Sequence, residues 1–207
     1  MNQTRRQHKI WLHKGQKKAY MIGAKEEYGI CPRAWGKTQG PFALRTIKCA
    51  NSMPRGATGL IGTTYMQLMD RTVPPLIKAW ENFGYREGVH FWFRRFPGKH
   101  LGIPTALYPV LAPEHSITWW NGHVFHFISQ DRPGLANGKN LDAIAADEAR
   151  FMNHKRYMDD IAPTNRGNRE HFGHLAEHHS ITMYTDMPTS AQGNWLFEKE
   201  EQMDKDK

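Results

Sequence analysis

The stretch Cys31-Pro32-Arg33-Ala34-Trp35-Gly36-Lys37-Thr38 makes the strongest structural demand in this chain. A tight turn ending in Gly-Lys-Thr can open a helix whose first backbone N–H groups point at an anion. Gly36 lets the main chain approach a phosphate closely. Lys37 would place a positive charge between β- and γ-phosphates, and the Thr38 hydroxyl would ligate Mg²⁺. The common pattern, G-x-x-x-x-G-K-[ST], asks for glycine where this chain has Cys31, and Pro32 has no N–H to give. On its own the stretch also reads as a surface turn leading into a helix. The rest of the chain must supply what a phosphate loop needs.

The neighbouring segments do so. Tyr28 to Cys31 is a short apolar run that can feed the loop as a strand. From Thr38 to about Ala50 the spacing of Phe42, Leu44 and Ile47, with Ala43 and Ala50, predicts a buried helix, with Pro41 in its first turn. Ala57 to Ile61 predicts a strand. Thr63 or Thr64 then caps a helix with Tyr65, Leu68 and Met69 on one face. Pro74-Pro75 ends or restarts a helix that continues to Gly84, and Val89 to Phe93 predicts a strand. Ser116–Trp120 and His123–Ser129 read as a hairpin around a two-residue turn at Asn121-Gly122. A loop over 131–140 leads to a buried strand, Leu141 to Ala146, and a helix from Ala149 to Ile161. A strand over Ser180–Tyr184 and a charged, helical tail from Asn194 complete the order. Strands alternating with helices predict an α/β fold with a mostly parallel sheet flanked by helices, the hairpin being an antiparallel addition.

Composition narrows the class. At 207 residues the chain is long enough for one domain with a sizeable core, and 39% hydrophobic residues suit a globular protein. No apolar run approaches a membrane span, and the N-terminus lacks the apolar core of a signal peptide. Cys31 and Cys49 are too few for a disulfide scaffold. The formal net charge is +8, and Arg5, Arg6, Lys9, Lys14, Lys17 and Lys18 crowd the first twenty residues with no acid among them. Residues 1–20 therefore form a basic arm. It suits a polyanion such as nucleic acid, or is a solvated tail.

Two further pieces carry chemistry. Leu141 to Glu148 ends a buried strand on adjacent acids. In an open α/β sheet such a pair stands at the carboxyl edge near the phosphate loop. The first acid, Asp147, then holds Mg²⁺ through water, and the second, Glu148, polarises the water that attacks the γ-phosphate. Without the loop, the pair reads as an ordinary acidic helix start. Ile181 to Pro188 places Thr185 at the end of another strand, where a hydroxyl can sense whether the γ-phosphate is present.

Together these pieces resemble the ATPase domain of the large terminase subunit of tailed bacteriophages, over about Tyr28 to Phe197. Pro32-Arg33-Ala34-Trp35-Gly36-Lys37-Thr38 is similar to the deviant phosphate loop of that family. Met53-Pro54-Arg55-Gly56 with Gly62-Thr63-Thr64-Tyr65 resembles its second-strand region. Asn121-Gly122, then Ser129 to Gly134 and Asn137-Gly138, resemble its hairpin and the loop ahead of the acids. Thr185-Asp186-Met187-Pro188 with Gly193-Asn194-Trp195 resembles its coupling motif.

The resemblance implies a RecA-like P-loop NTPase over residues 21–207 that hydrolyses Mg-ATP while double-stranded DNA moves into a procapsid. Lys37 and Thr38 would hold phosphate and metal, with Arg33 and Gly36 at the nucleotide. Arg33 would also stabilise transition-state charge in cis, and Thr185 would couple. The partners implied are a portal protein, a small terminase subunit and further copies in a ring, all in the host cytoplasm during phage assembly. Full large terminases carry a C-terminal nuclease domain; this chain stops soon after the coupling motif, and no nuclease activity is expected of these residues.

Other signals weigh less. His171, His174, His178 and His179 include an H-x-x-H spacing that can bind Zn²⁺, but with no cysteine nearby a solvated polar segment is the simpler reading. Phe91-Trp92-Phe93 with Arg94-Arg95 can stack bases or form a packed strand. Trp119-Trp120 read as packing residues, and Trp35 either packs under the loop or lines a nucleotide pocket. The rival functions are another nucleic-acid-dependent ATPase, and a non-catalytic basic nucleic-acid-binding module with a degenerate loop.

Overall fold

A computed structural model describes residues 10–132, 134, 136 and 138–203. Arg5, Arg6 and Lys9 of the basic arm lie outside the described residues, as do Pro133 and Asn137 of the loop ahead of the acids.

The described residues form one seven-stranded sheet in the order β1-β7-β6-β2-β5-β4-β3. The strands are β1 (Glu26–Cys31), β2 (Ala57–Gly62), β3 (Phe91–Phe93), β4 (Ser116–Trp119), β5 (Val124–Ser129), β6 (Ala143–Asp147) and β7 (Ser180–Asp186). From β1 to β5 every pairing is parallel, while β4 runs antiparallel to both β5 and β3. Parallel strands need both faces covered, and side chains alternate between the faces. Leu60, Phe125, Phe127, Ala145 and Tyr184 therefore join one core with Phe42, Ile47, Leu76, Trp80 and Trp119. Ile61, Ile128, Ile144, Ala146 and Met183 join the other with Met152, Tyr157, Trp195 and Leu196. Helix α1 (Lys14–Ile22) precedes β1, α2 (Ala43–Ser52) follows the loop, and a helix over Val73–Asn82 lies in the first core. No helix among the described residues is long and apolar enough to cross a membrane.

The hairpin supplies the antiparallel part of the sheet as expected: β4 and β3 extend it outward, while β5 itself pairs along its whole length with β2. Several expectations need correction. The hairpin's turn has three residues, not two. The Trp119 N–H donates to the His123 carbonyl and the Gly122 N–H to the Trp119 carbonyl, leaving Trp120, Asn121 and Gly122 in the loop. Gly122 takes the left-handed position such a loop requires (φ 83°), and a Cβ there would sit 2.3 Å from the Pro104 carbonyl oxygen.

The helix expected from Ala149 to Ile161 is broken. Met152 is extended and buried, and the Gln130 amide clamps both the N–H and the carbonyl of Asn153, which then caps a new turn at His154. β3 starts at Phe91 because Arg86 to His90 closes a turn of its own. Phe91 and Trp92 are buried in the sheet, so neither can stack a base, and of the tryptophan pair Trp119 is core while Trp120 is exposed. The helix after the loop bends at Gly40, where φ −113° and ψ −107° leave the helical region. His178 is buried against the Gly167 carbonyl, and among the described residues no group of histidines, cysteines or acids is arranged to hold a metal ion by itself.

Candidate functional site: the carboxyl edge of β1, β7 and β6

Parallel pairing brings the carboxyl ends of β1, β7 and β6 to one edge. Cys31 stands opposite Asp186, and Asp147 opposite Tyr184. The acid strand is thus not beside the loop strand, since β7 lies between them, and the loop reaches across it.

The loop's shape follows from Gly36 and Lys37. Gly36 is left-handed (φ 77°) and Lys37 is right-handed (φ −54°, ψ −47°). Alternating hands turn successive N–H groups to the same side, making an anion-binding hollow. Among the described residues no hydrogen bond engages the Gly36 or Lys37 N–H. Ala34 is also left-handed (φ 61°), a conformation that costs a non-glycine residue about 1 kcal/mol.

The back of the loop is held by α1. The His13 ring accepts from the Gly15 and Gln16 amides through Nδ1, so Nε2 carries the proton and donates to the Trp35 carbonyl at 3.1 Å. Gln16 Nε2 donates to the carbonyls of Trp35 and Gly36, 3.1 Å each. A Cβ on residue 36 would lie 2.7 Å from that amide nitrogen, so Gln16 and Gly36 require each other. No spacing rule links Gln16 to a loop 20 residues on, so no local pattern reveals the contact. Trp35 is half-buried with its ring against His13 and Gly15, which places it under the loop.

The predicted residues converge in front. The Thr38 hydroxyl donates to Asp147 Oδ2 at 2.5 Å, and the Glu148 N–H donates to Asp147 Oδ1 at 3.0 Å. Lys37 Nζ lies 2.9 Å from Glu148 Oε1 and 2.9 Å from Asp186 Oδ1. Glu148 is itself left-handed (φ 59°, ψ 40°), which turns its side chain sharply out of β6. Thr185 is buried and accepts from the Arg150 N–H at 3.2 Å. Arg33 is the outlier: its side chain is 85% exposed and approaches the cluster only through Asp186 Oδ2, 3.5 Å away.

Asp186 and Arg150 were missed as site residues. Asp186 ends β7 as Asp147 ends β6, so the same strand-end logic applies to it. Arg150 Nη2 lies 3.6 Å from it.

The electrostatics follow from burial and pairing. Burial pushes the Asp147 carboxyl up to about 6, against the Thr38 hydrogen bond and the Lys37 charge. Burial also works to raise Asp186, but its hydrogen bond to Lys37 and the charges of Lys37, Arg150 and Arg33 hold it below the usual range. Burial disfavours the Lys37 charge, yet its bonds to Asp186 and Glu148 win and keep it firmly protonated.

The donor set suits Mg²⁺. A hydroxyl and a carboxylate are hard oxygen ligands, and Mg²⁺ usually takes one or two carboxylates plus substrate phosphates, not an all-protein cage. The edge thus offers free amides and an ammonium for an anion, oxygens for a hard cation, and a second carboxylate, Glu148, beside them.

No family model matches the chain, and no curated protein sequence matches it. Solved structures do. Two forms of the Thermus phage P74-26 large terminase ATPase domain superpose with TM-scores of 0.56 and 0.55 at 18% and 19% identity, each over 91% of this chain and 69% of that one. The large terminase of a thermophilic bacteriophage in complex with ADP superposes with a TM-score of 0.55 at 15% identity, over 84% of this chain and 38% of that one. The chain therefore has the fold of the ATPase domain of phage large terminases.

Proposed function

We propose that this chain is an ATPase motor domain of the large-terminase type, coupling Mg-ATP hydrolysis to movement of double-stranded DNA into a procapsid. One observation carries the reading. Thr38, on a loop with free amides, meets Asp147, 109 residues further along, and the adjacent Lys37 meets Glu148. The shared fold and the ADP held by one structural neighbour support nucleotide binding.

In this reading the Gly36 and Lys37 amides face the phosphates, and Lys37 leaves its carboxylates for the bridge between β- and γ-phosphate. Thr38 and Asp147 would hold Mg²⁺. The metal, when bound, neutralises charge shared by the phosphate oxygens. Glu148, released from Lys37, accepts a hydrogen bond from the attacking water and orients it. Arg33, exposed at the tip of the loop, leaves Asp186 and turns inward to the transferred phosphoryl group, a role worth ~10³–10⁵ in rate where it occurs. Thr185 carries the outcome into β7. The ATPase domain spans 21–207, with the 1–20 arm, Arg94 and Arg95 as cations for DNA. Copies form a ring with the portal and small subunit in the host cytoplasm.

The test is ATP turnover and binding by the purified chain, with and without double-stranded DNA. The wild type should hydrolyse ATP, Lys37→Ala should lose binding, and Glu148→Gln should bind without turnover. A wild type that binds DNA but neither binds nor hydrolyses ATP would favour the non-catalytic basic module.

A further inference from the structure

Two residues after Glu148 stands an arginine to which the nucleotide reading gives no task. Arginines are mostly exposed, yet the Arg150 side chain is 12% exposed. It lies in the short turn Ala149–Phe151, with its guanidinium 4.5 Å over the Phe151 ring. From there it reaches two segments. Nε lies 3.5 Å from Glu148 Oε2 and Nη2 lies 3.6 Å from Asp186 Oδ2. Nη1 donates to the Met187 carbonyl at 3.2 Å, and the main-chain N–H donates to Thr185 Oγ1.

Arg150 Nε and Glu148 Oε2 are both buried and both lack a hydrogen bond among the described residues, although they face each other. Their separation exceeds a good N–H···O distance of about 2.9 Å by about 0.6 Å, which a small rotation of either side chain closes. Meanwhile Lys37 holds the other oxygen of Glu148. A phosphate that draws Lys37 away leaves Glu148 and Asp186 with Arg150 as their enclosed cation, because Arg33 is in solvent. An enclosed carboxylate without a partner is strongly unfavourable, so the guanidinium is driven onto Oε2.

We propose that Arg150 is a positioning residue. It takes over Glu148 when Lys37 turns to phosphate, aims that carboxylate at the attacking water, and ties it to the Thr185–Met187 end of β7. This rests on the ATPase reading above. Arg150→Ala should lower kcat about tenfold or more while KM and the Kd for Mg-ATP change less than about threefold. Arg150→Lys, which keeps the charge, should recover part of the loss, and added guanidinium should partly rescue Arg150→Ala.

In single turnovers followed long enough to read the residual cleavage of Glu148→Gln, Arg150→Ala should add nothing to that loss, since the two act through one group. A residue that only supports the fold would weaken binding together with kcat, and would do equal harm in both backgrounds. Full kcat in Arg150→Ala, or equal losses in both backgrounds, would overturn the assignment. Amide exchange without nucleotide reads the tie to β7 separately: Arg150→Ala should speed exchange over 185–187 and leave β5 unchanged, and unaltered exchange there would remove the tie. A wild type with no turnover would overturn the ATPase reading and the catalytic half of this one, while the exchange result would still decide the tie.

Discussion

Asp186 shows how much a single residue sets at this edge. It shares Lys37 with Glu148, anchors Arg33 and faces Arg150. As an anion it competes with any phosphate for the Lys37 ammonium. Asp186→Asn should therefore tighten Mg-ATP binding several-fold in a nucleotide titration. The same change should cost about 1–2 kcal/mol of stability in urea, because a charge-assisted hydrogen bond is lost. Away from the site, His123 sits fully buried between the Thr58 hydroxyl and the Met53 carbonyl, and burial pushes its pKa down from 6.5 to about 4. The unfolded chain then takes the proton first. Stability should fall as pH drops from about 6.5 towards 4 and level off below, by on the order of 3 kcal/mol from this residue. His126, pushed down to about 3 by burial, acts in the same sense. Urea unfolding at pH 7.5, 6 and 5 checks this, and His123→Gln should flatten part of the slope.

Between elements, a buried polar triad locks β1, α2 and β7 together beneath the site. Arg45 Nε is 3.3 Å from Glu27 Oε2, its Nη2 donates to the Ala24 carbonyl at 2.7 Å, and the Tyr184 hydroxyl donates to Glu27. Tyr184 directly precedes Thr185, and α2 follows the Gly36–Thr38 loop, so the triad fixes that loop relative to β7. Arg45→Leu leaves Glu27 without its cation and should cost about 3–5 kcal/mol. The double change Glu27→Gln with Arg45→Leu should recover most of that in thermal unfolding. The strands of this layer were legible because β2, β5, β6 and β7 are apolar runs bounded by turn residues. Their partners were not. Nothing local to Gln130 says that it will clamp Asn153 and break a helix, and a Trp-Asn-Gly turn does not declare whether two residues or three will close it. Those outcomes depend on side chains distant in sequence, including Pro104, which fills the space beside Gly122.

For the whole molecule, the order β1-β7-β6 decides the geometry. Lys37, Thr38, Asp147, Glu148 and Thr185 were each readable from a local motif, since Gly-Lys-Thr after a strand and acids at a strand end carry their own chemistry. What the motifs could not supply was the intervening strand. It inserts Asp186 between the loop and the acids, where Arg150 meets both Asp186 and Glu148. Arg33 was readable as part of the loop, but not its position in solvent.

In the proposed reading the loop and the twin acids serve one magnesium–triphosphate. A double-mutant cycle on Mg-ATP affinity, with Thr38→Val and Asp147→Asn, measures that partnership. Each change should weaken Mg²⁺-dependent binding about tenfold, and the two together should lose little more than either alone. Independent, fully additive losses, or affinity that ignores both residues, would mean that loop and acids do not share a ligand.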